Sequence, residues 1–254
     1  MNAPHIPNGI GDNYSWALEI LEKVITKDKI QLIAEIGSRD GMDAIALAGH
    51  FEASAIIFEP DPINFKLCSA NLRLCEAELN LKLLNIALSD FSGEVDFFSI
   101  DPSLYGNRGA SALYQISFDG RPLNDPDRGR ASVQRRTSVE AFRFDELRLP
   151  TPDLIAMDAE GSELSILRGF GDKLKEVKVV ITESSFWNYH KGGGSTFVEI
   201  DRLLSQSGFQ FLASNQQKSD GKFPKQSLAK LLFHGWQPAF DVIYVNSRYQ
   251  GTSN

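Results

Sequence analysis

The chain has 254 residues, of which 42% are hydrophobic and 23% charged, including 17 Phe. This composition can bury a core and excludes a chain that is disordered throughout. The formal net charge is −7 and the isoelectric point is about 5.2. This argues against a protein that binds nucleic acid through its phosphates, because such domains are usually basic.

Membrane and export signals are missing from the sequence. No run approaches the roughly 18 apolar residues that cross a bilayer. The first residues have neither the basic head nor the apolar stretch of a secretory signal. We therefore expect a cytoplasmic protein without a membrane span, and the sequence leaves its oligomeric state open.

Short apolar strands alternate with helices over the first 90 residues. An amphipathic helix is expected over residues 12–27, followed by strands over 31–36, 54–58 and 81–86. Helices are expected over 42–51 and from Pro62 to about residue 74, since proline suits a first helical turn. This alternation predicts parallel strands with helices on both faces.

The same alternation resumes after residue 150. The predicted strands are 153–158, 177–182, 209–213 and 241–245, and the predicted helices are 162–170 and 196–207. With the last strand as an antiparallel partner, seven strands form a Rossmann-like, doubly wound α/β sheet in a single domain over residues 1–254.

Residues 101–132 do not fit this pattern. They contain three Pro and four Gly and have little periodicity. Uninterrupted loops longer than about 15 residues are uncommon in compact domains and are usually functional or disordered. We interpret this segment as a substrate-side loop or lid, and a mobile excursion is the alternative.

An acidic and glycine-rich turn follows the first strand. Glu35, Gly37 and Gly41 form an acidic-x-Gly-x-x-x-Gly pattern, in which glycine lets the backbone approach a ligand closely. Glu59 ends the second strand 24 residues after Glu35. A carboxylate there can accept hydrogen bonds from both ribose hydroxyls of an adenosine ligand. The two features together predict a nucleoside cofactor.

The charges near this turn favour one cofactor over another. A dinucleotide fingerprint would have glycine at position 39, where this chain has Arg39. Asp40 and Asp43 add negative charge where the next helix starts, and they would repel a pyrophosphate. They suit the sulfonium and ammonium groups of S-adenosylmethionine, which is therefore preferred to a nicotinamide.

Four segments resemble the FkbM family of S-adenosylmethionine-dependent methyltransferases. They are residues 33–41, 58–65 (FEPDPINF), 85–90 (NIALSD) and 155–170 (IAMDAEGSELSILRGF). The resemblance covers roughly residues 30–185 and implies a class I methyltransferase fold. Ala156 departs from the family, which usually has Lys at that position, and this leaves the substrate class open.

The resemblance assigns cofactor-binding roles to particular residues. It implies that Glu35, Gly37 and Gly41 hold the methionine end, that Glu59 holds the ribose and that the Ile86–Ala87 turn borders the adenine. The complete set of expected cofactor-binding residues is Glu35, Gly37, Ser38, Gly41, Glu59, Pro60, Ile86, Ala87 and Asp158.

Family members typically methylate hydroxyl groups, so the resemblance implies an O-methyltransferase acting on a sugar, glycan or other natural product. A hydroxyl is a weak nucleophile and benefits from a base or a nearby cation. Asp158 and Glu183 end neighbouring strands, and His190 lies in an aromatic-rich loop, so these three are the candidate catalytic residues. Asp158 and Glu183 could also hold Mg²⁺ if water completed the coordination.

Several alternatives stay open at this stage. The chain could be a non-catalytic nucleoside-cofactor-binding domain, which the departure at Ala156 favours. A nicotinamide-dependent oxidoreductase and N-methylation of an amino sugar are further alternatives. Phe186, Trp187 and Tyr189 could stack on a sugar face or pack in the core.

Overall fold

The protein is described by a computed structural model, which covers residues 14–75, 78–100, 108–116, 134–188, 190–215 and 239–249. Within these ranges, no helix is long and apolar enough to cross a membrane. The α-helices are α1 (Ser15–Leu21), α2 (Met42–Phe51), α3 (Pro62–Leu72), α4 (Glu163–Gly169) and α5 (Phe197–Gln206). The strands are β1 (Leu32–Ile36), β2 (Ser54–Phe58), β3 (Leu81–Leu84), β4 (Ala87–Leu88), β5 (Gly93–Ile100), β6 (Gln115–Ile116), β7 (Gln134–Phe142), β8 (Leu154–Met157), β9 (Val179–Ser184), β10 (His190–Lys191), β11 (Phe209–Ser214) and β12 (Phe240–Asn246).

The central sheet has seven strands in the order β11-β12-β9-β8-β1-β2-β3. Five of them are parallel, while β12 pairs antiparallel with both β9 and β11. This confirms the predicted seven-stranded α/β sheet with an antiparallel hairpin at one side. The strand order reverses between β1 and β8, so their carboxyl ends form the switch point at which such sheets bind ligands.

Helices cover both faces of this sheet. Residues of α1, α2 and α3 pack in one hydrophobic cluster, and residues of α4 and α5 pack in the other. Because successive strand residues face opposite sides, the pairs Glu35–Ala156 and Asp241–Glu183 each project to the α1–α2 side. The register therefore brings acidic side chains from different strands to one face.

A second, three-stranded sheet was missed in the sequence. Its order is β4-β7-β5, with β5 and β7 antiparallel over eight residue pairs. Of the segment predicted as a loop over 101–132, the structure describes residues 108–116, which contain a short 3-10 turn and β6. Since β6 pairs with β10, this part lies beside the chain around His190, and the interpretation of residues 101–132 as a substrate-side loop or lid stays a prediction.

The N-terminal helix is shorter than predicted. Asp12, the expected cap, lies outside the described residues, and α1 ends at Leu21 instead of continuing to residue 27. The β-branched run Val24-Ile25-Thr26 follows, and such residues lose side-chain freedom in a helix. The third strand also ends early, at Leu84, because the Asn85 side chain donates hydrogen bonds to the carbonyls of Glu59 and Pro60.

Candidate functional site

Gly37 and Asp158 face each other where β1 and β8 end. Gly37 has φ +82°, and a Cβ added to it would overlap the Asp158 carbonyl oxygen and stand 2.9 Å from its carbon. Its amide donates to the Phe58 carbonyl at 3.0 Å, which fixes the turn against β2. Only glycine fits both this backbone conformation and this close approach.

A cleft of about 480 Å³ opens on one side of this contact. Six of the expected cofactor-binding residues line it: Gly37, Glu59, Pro60, Ile86, Ala87 and Asp158. Apolar side chains, among them Phe58, Leu88 and Phe97, complete the walls. An apolar slot with a few polar groups at one end suits a flat heterocycle attached to a sugar.

Glu59 is the buried acid of this cleft. Its two carboxylate oxygens accept backbone N–H groups, from Arg39 at 2.7 Å and from Asp61 at 2.8 Å. Burial raises the pKa of Glu59 to about 8, although the two N–H donors oppose the rise. Each carboxylate oxygen has a second lone pair, so both can still accept a ligand hydroxyl.

A smaller, acidic cavity of about 330 Å³ lies on the other side of Gly37 and Asp158. Its remaining lining residues are Tyr14, Glu35, Ser38, Arg39, Asp43 and Gly109. Glu35 is buried, and its Oε2 has no hydrogen-bond partner among the described residues. Burial raises the pKa of Glu35, and Asp43 and Glu59 contribute to the rise. A cationic ligand would satisfy this carboxylate, since an unpaired buried charge is costly.

The departure at Ala156 bears directly on Glu35. Ala156 is fully buried and is the register neighbour of Glu35 across β1 and β8. Residues directly opposite on adjacent strands share a face. The lysine that the family resemblance leads us to expect would therefore stand beside Glu35, and Ala156 leaves this carboxylate without that cation.

Three carboxylates form a row at this edge of the sheet: Asp158 directly after β8, Glu183 in β9 and Asp241 in β12. Met157 pairs with Thr182, so the following Asp158 lies next to Glu183, and Glu183 pairs with Asp241. Asp158 is exposed, and it lines both cavities. Desolvation and the charges of Asp241 and Glu163 raise its pKa to about 7. Burial and the Asp158 charge raise the pKa of Glu183 as well.

His190 lies beside the loop that follows Asp158. A Cβ on Gly161 would overlap the imidazole, and the ring is 6.3 Å from that of Tyr114. Glu163 shapes this loop: its Oε1 accepts the amides of Ala159 and Gly161, and its Oε2 accepts the Ser195 hydroxyl at 2.8 Å. Glu163 thus orders the backbone between Asp158 and α4.

The aromatic residues after β9 differ in their surroundings. Phe186 packs against Phe197 and Phe240, with ring centroids 5.3 and 5.4 Å away. Trp187 is 51% exposed and is free to meet a ligand face. Tyr189 lies outside the described residues. The structure therefore divides the predicted aromatic set into a core residue and a surface residue.

Not every candidate residue reaches the two cavities. Gly41, Glu183 and His190 line neither of them. Gly41 begins α2 at φ +80°, and a Cβ on it would meet the Cys68 sulfur at 2.8 Å, so it lets α2 and α3 approach. In the part of the chain that is described, no group of three or more His, Cys, Asp or Glu is arranged to hold a metal, and the Mg²⁺ site stays a prediction.

The sequence did not indicate two residues of this region. Tyr14 lines the acidic cavity although it precedes the first strand by almost twenty residues. The antiparallel pairing of β12 brings Asp241 next to Glu183. The side-chain amide of Asn215 donates a hydrogen bond to Asp241 Oδ2 at 2.7 Å. The register of the antiparallel strand β12 against β9 was the signal that could have found Asp241.

A family model described as the methyltransferase FkbM domain matches residues 35–211. One curated relative is the 2-O-methyltransferase NoeI of Sinorhizobium fredii, 28% identical over 178 residues, which are 63% of this chain and 66% of that protein. Another is the hexuronic acid methyltransferase AglP of Haloferax volcanii, 27% identical over 113 residues, which are 43% of this chain and 44% of that protein.

Among solved structures, the methyltransferase FkbM from Methylobacillus flagellatus superposes with a TM-score of 0.50 at 16% identity. The match covers 84% of this chain and 44% of that one. At this identity the likeness concerns the fold alone. The chain spans 66% and 44% of the lengths of the two curated relatives.

Proposed function

The chain belongs to the FkbM methyltransferase family, and from that membership we propose that it transfers a methyl group from S-adenosylmethionine to a hydroxyl of a saccharide. Family membership decides against the nicotinamide-dependent oxidoreductase that the glycine-rich turn had left open. The observation that supports the cofactor most directly is the pair of adjoining cavities, one largely apolar and one acidic, which meet at Gly37 and Asp158.

The residues present fit this cofactor. The apolar cleft offers Pro60, Ile86 and Ala87 to an adenine and Glu59 to the ribose hydroxyls. The acidic cavity offers Glu35, whose buried Oε2 lacks a partner among the described residues, to the ammonium group. A pyrophosphate would meet repulsion from these carboxylates. The bound cofactor would supply an electrophilic methyl group on a sulfonium.

The row of Asp158, Glu183 and Asp241 would accept the proton that the acceptor hydroxyl loses. Two adjacent carboxylates resist joint ionisation and tend to share a proton. The raised pKa of Asp158, about 7, lets it exchange a proton near neutral pH. We propose Asp158 as the base, with Glu183 beside it, and His190 as the competing candidate on the neighbouring loop.

The saccharide acceptor is supported by two observations. The two curated relatives are a 2-O-methyltransferase and a hexuronic acid methyltransferase. Exposed Trp187, four residues after Glu183, offers an aromatic face near the carboxyl edge of the sheet. Aromatic side chains combine a large apolar face with a polar handle, which suits the C–H face of a sugar ring.

The test is transfer of a ¹³C-labelled methyl group from S-adenosylmethionine to a panel of neutral, acidic and amino saccharides. We expect S-adenosylhomocysteine to form together with a methyl ether on one class of saccharide, identified by mass and by the methyl carbon shift. Asp158→Asn should abolish transfer, and Asp172→Asn, at a position whose side chain is 94% exposed, is the matched control.

The outcomes separate the alternatives. Methylation of nitrogen alone would replace the hydroxyl acceptor with an amine. Tight binding of S-adenosylmethionine without transfer to any saccharide would favour a non-catalytic cofactor-binding domain. Failure to bind S-adenosylmethionine would overturn the cofactor assignment itself.

A further inference from the structure

Tyr14 is a cavity residue that the family model does not include. The model matches residues 35–211, whereas Tyr14 immediately precedes α1. Nevertheless it lines the acidic cavity together with Glu35, Asp43 and Asp158. This part of the cavity wall therefore comes from outside the matched segment.

The position of Tyr14 is fixed without the help of its hydroxyl. Its backbone carbonyl accepts the amides of Ala17 and Leu18 at 2.9 and 3.1 Å, which anchors the start of α1. The residue is 6% exposed and packs in the hydrophobic cluster formed with α1 and α2. Removing the hydroxyl alone would leave these contacts in place.

The hydroxyl of Tyr14 differs from its ring in lacking a hydrogen-bond partner among the described residues. Within the described ranges, it makes no hydrogen bond, although the residue is buried. Because Tyr14 lines the acidic cavity, a ligand bound there can accept a hydrogen bond from this hydroxyl, and a hydrogen bond to a charged group adds affinity. Burial and nearby carboxylates, led by Asp158 and Glu35, raise the pKa of Tyr14, so the hydroxyl keeps its proton and can donate.

The chemistry of the cavity indicates which ligand group this donor meets. The methionine end of the cofactor has an ammonium and a carboxylate on one carbon atom. Glu35 and Asp43 suit the ammonium, so the carboxylate needs donors elsewhere on the wall. Among the lining residues, Arg39 and Tyr14 can donate. We propose that the Tyr14 hydroxyl donates a hydrogen bond to the α-carboxylate of the cofactor and thereby positions its methionine end. This inference rests on the cofactor placement proposed above.

Calorimetry with matched ligands tests the proposal. S-adenosylhomocysteine contains the α-carboxylate, its decarboxylated form keeps the amine and thioether, and 5′-methylthioadenosine lacks the whole amino-acid part. In Tyr14→Phe, we expect the Kd of S-adenosylhomocysteine to rise about tenfold, the size typical of a hydrogen bond to a charged group. The other two ligands should bind as they do to the wild type. Tyr249→Phe, which removes a hydroxyl from an exposed residue that lines neither cavity, should change none of the three affinities.

Thermal unfolding of the ligand-free variant completes the design. Because the hydroxyl has no partner in the described protein, Tyr14→Phe should keep or raise the unfolding temperature. Equal affinity of variant and wild type for S-adenosylhomocysteine would overturn the proposal. An equal loss of affinity for all three ligands would overturn it as well. If the wild type bound none of them, the cofactor placement would fail together with this inference.

Discussion

Gly37→Ala tests whether the absence of a side chain at residue 37 is needed for the close approach of β1 and β8 at the ligand-binding edge of the sheet. Gly37 has φ +82°, and its missing side chain leaves space that the Asp158 backbone fills. Alanine would require either a change in that backbone conformation or a separation of β1 from β8. Both changes would distort the point at which the two cavities meet.

The expected loss of stability has two parts. A left-handed backbone costs a non-glycine residue about 1–2 kcal/mol. The overlap with the Asp158 carbonyl adds about 1–3 kcal/mol, as for overpacking in a core. Gly192 provides a matched control, because it has φ +76° but nothing within 4 Å of an added Cβ. Gly192→Ala should therefore show only the first part.

Calorimetric unfolding and ligand titration measure both effects. At about 2–4 °C per kcal/mol for a chain of this size, Gly37→Ala should lower Tm by roughly 10 °C and Gly192→Ala by only a few degrees. Gly37→Ala should also lose measurable affinity for S-adenosylhomocysteine. Equal Tm losses in the two variants, with cofactor binding intact in both, would refute the steric reasoning.

Three further predictions concern the cleft and its edge. Glu59→Gln should raise the Kd of S-adenosylhomocysteine about tenfold or more in calorimetry, because one oxygen that accepts hydrogen bonds becomes an amide donor. An unchanged Kd would exclude Glu59 from ribose binding. The pKa of Glu59 is raised from 4.5 to about 8 in the folded protein, which therefore holds the proton more tightly than the unfolded chain. The stability that the protonated Glu59 contributes should therefore be lost as the pH rises from about 5 to about 8. Urea unfolding should show the free energy of unfolding falling over this pH range in the wild type, and the Glu59→Gln variant should lack that fall. Trp187→Ala should raise the KM for a saccharide acceptor severalfold and leave the KM for S-adenosylmethionine unchanged; equal effects on both would argue against an acceptor-stacking role.

Local sequence patterns were sufficient for much of the fold and the cofactor cleft. Apolar runs separated by helical periodicity predicted the seven strands, and parallel strands bring their carboxyl ends to one edge. Glu35, Gly37 and Glu59 could therefore be placed near one another from their positions at strand ends. The three-stranded sheet of β4, β5 and β7 was missed because β4 has only two residues and β7 is mostly polar and exposed, so neither has a strong apolar signal.

The sequence by itself determined which residues end the parallel strands, and hence the cofactor class that those residues favour. Tertiary structure alone decided that Asp241 joins Asp158 and Glu183, since this depends on the register of an antiparallel strand from the far end of the chain. It also decided that Tyr14 lines the acidic cavity and that Ala156 stands beside Glu35. The physical reason is that strand order and register arise from packing between distant segments, which no local periodicity encodes.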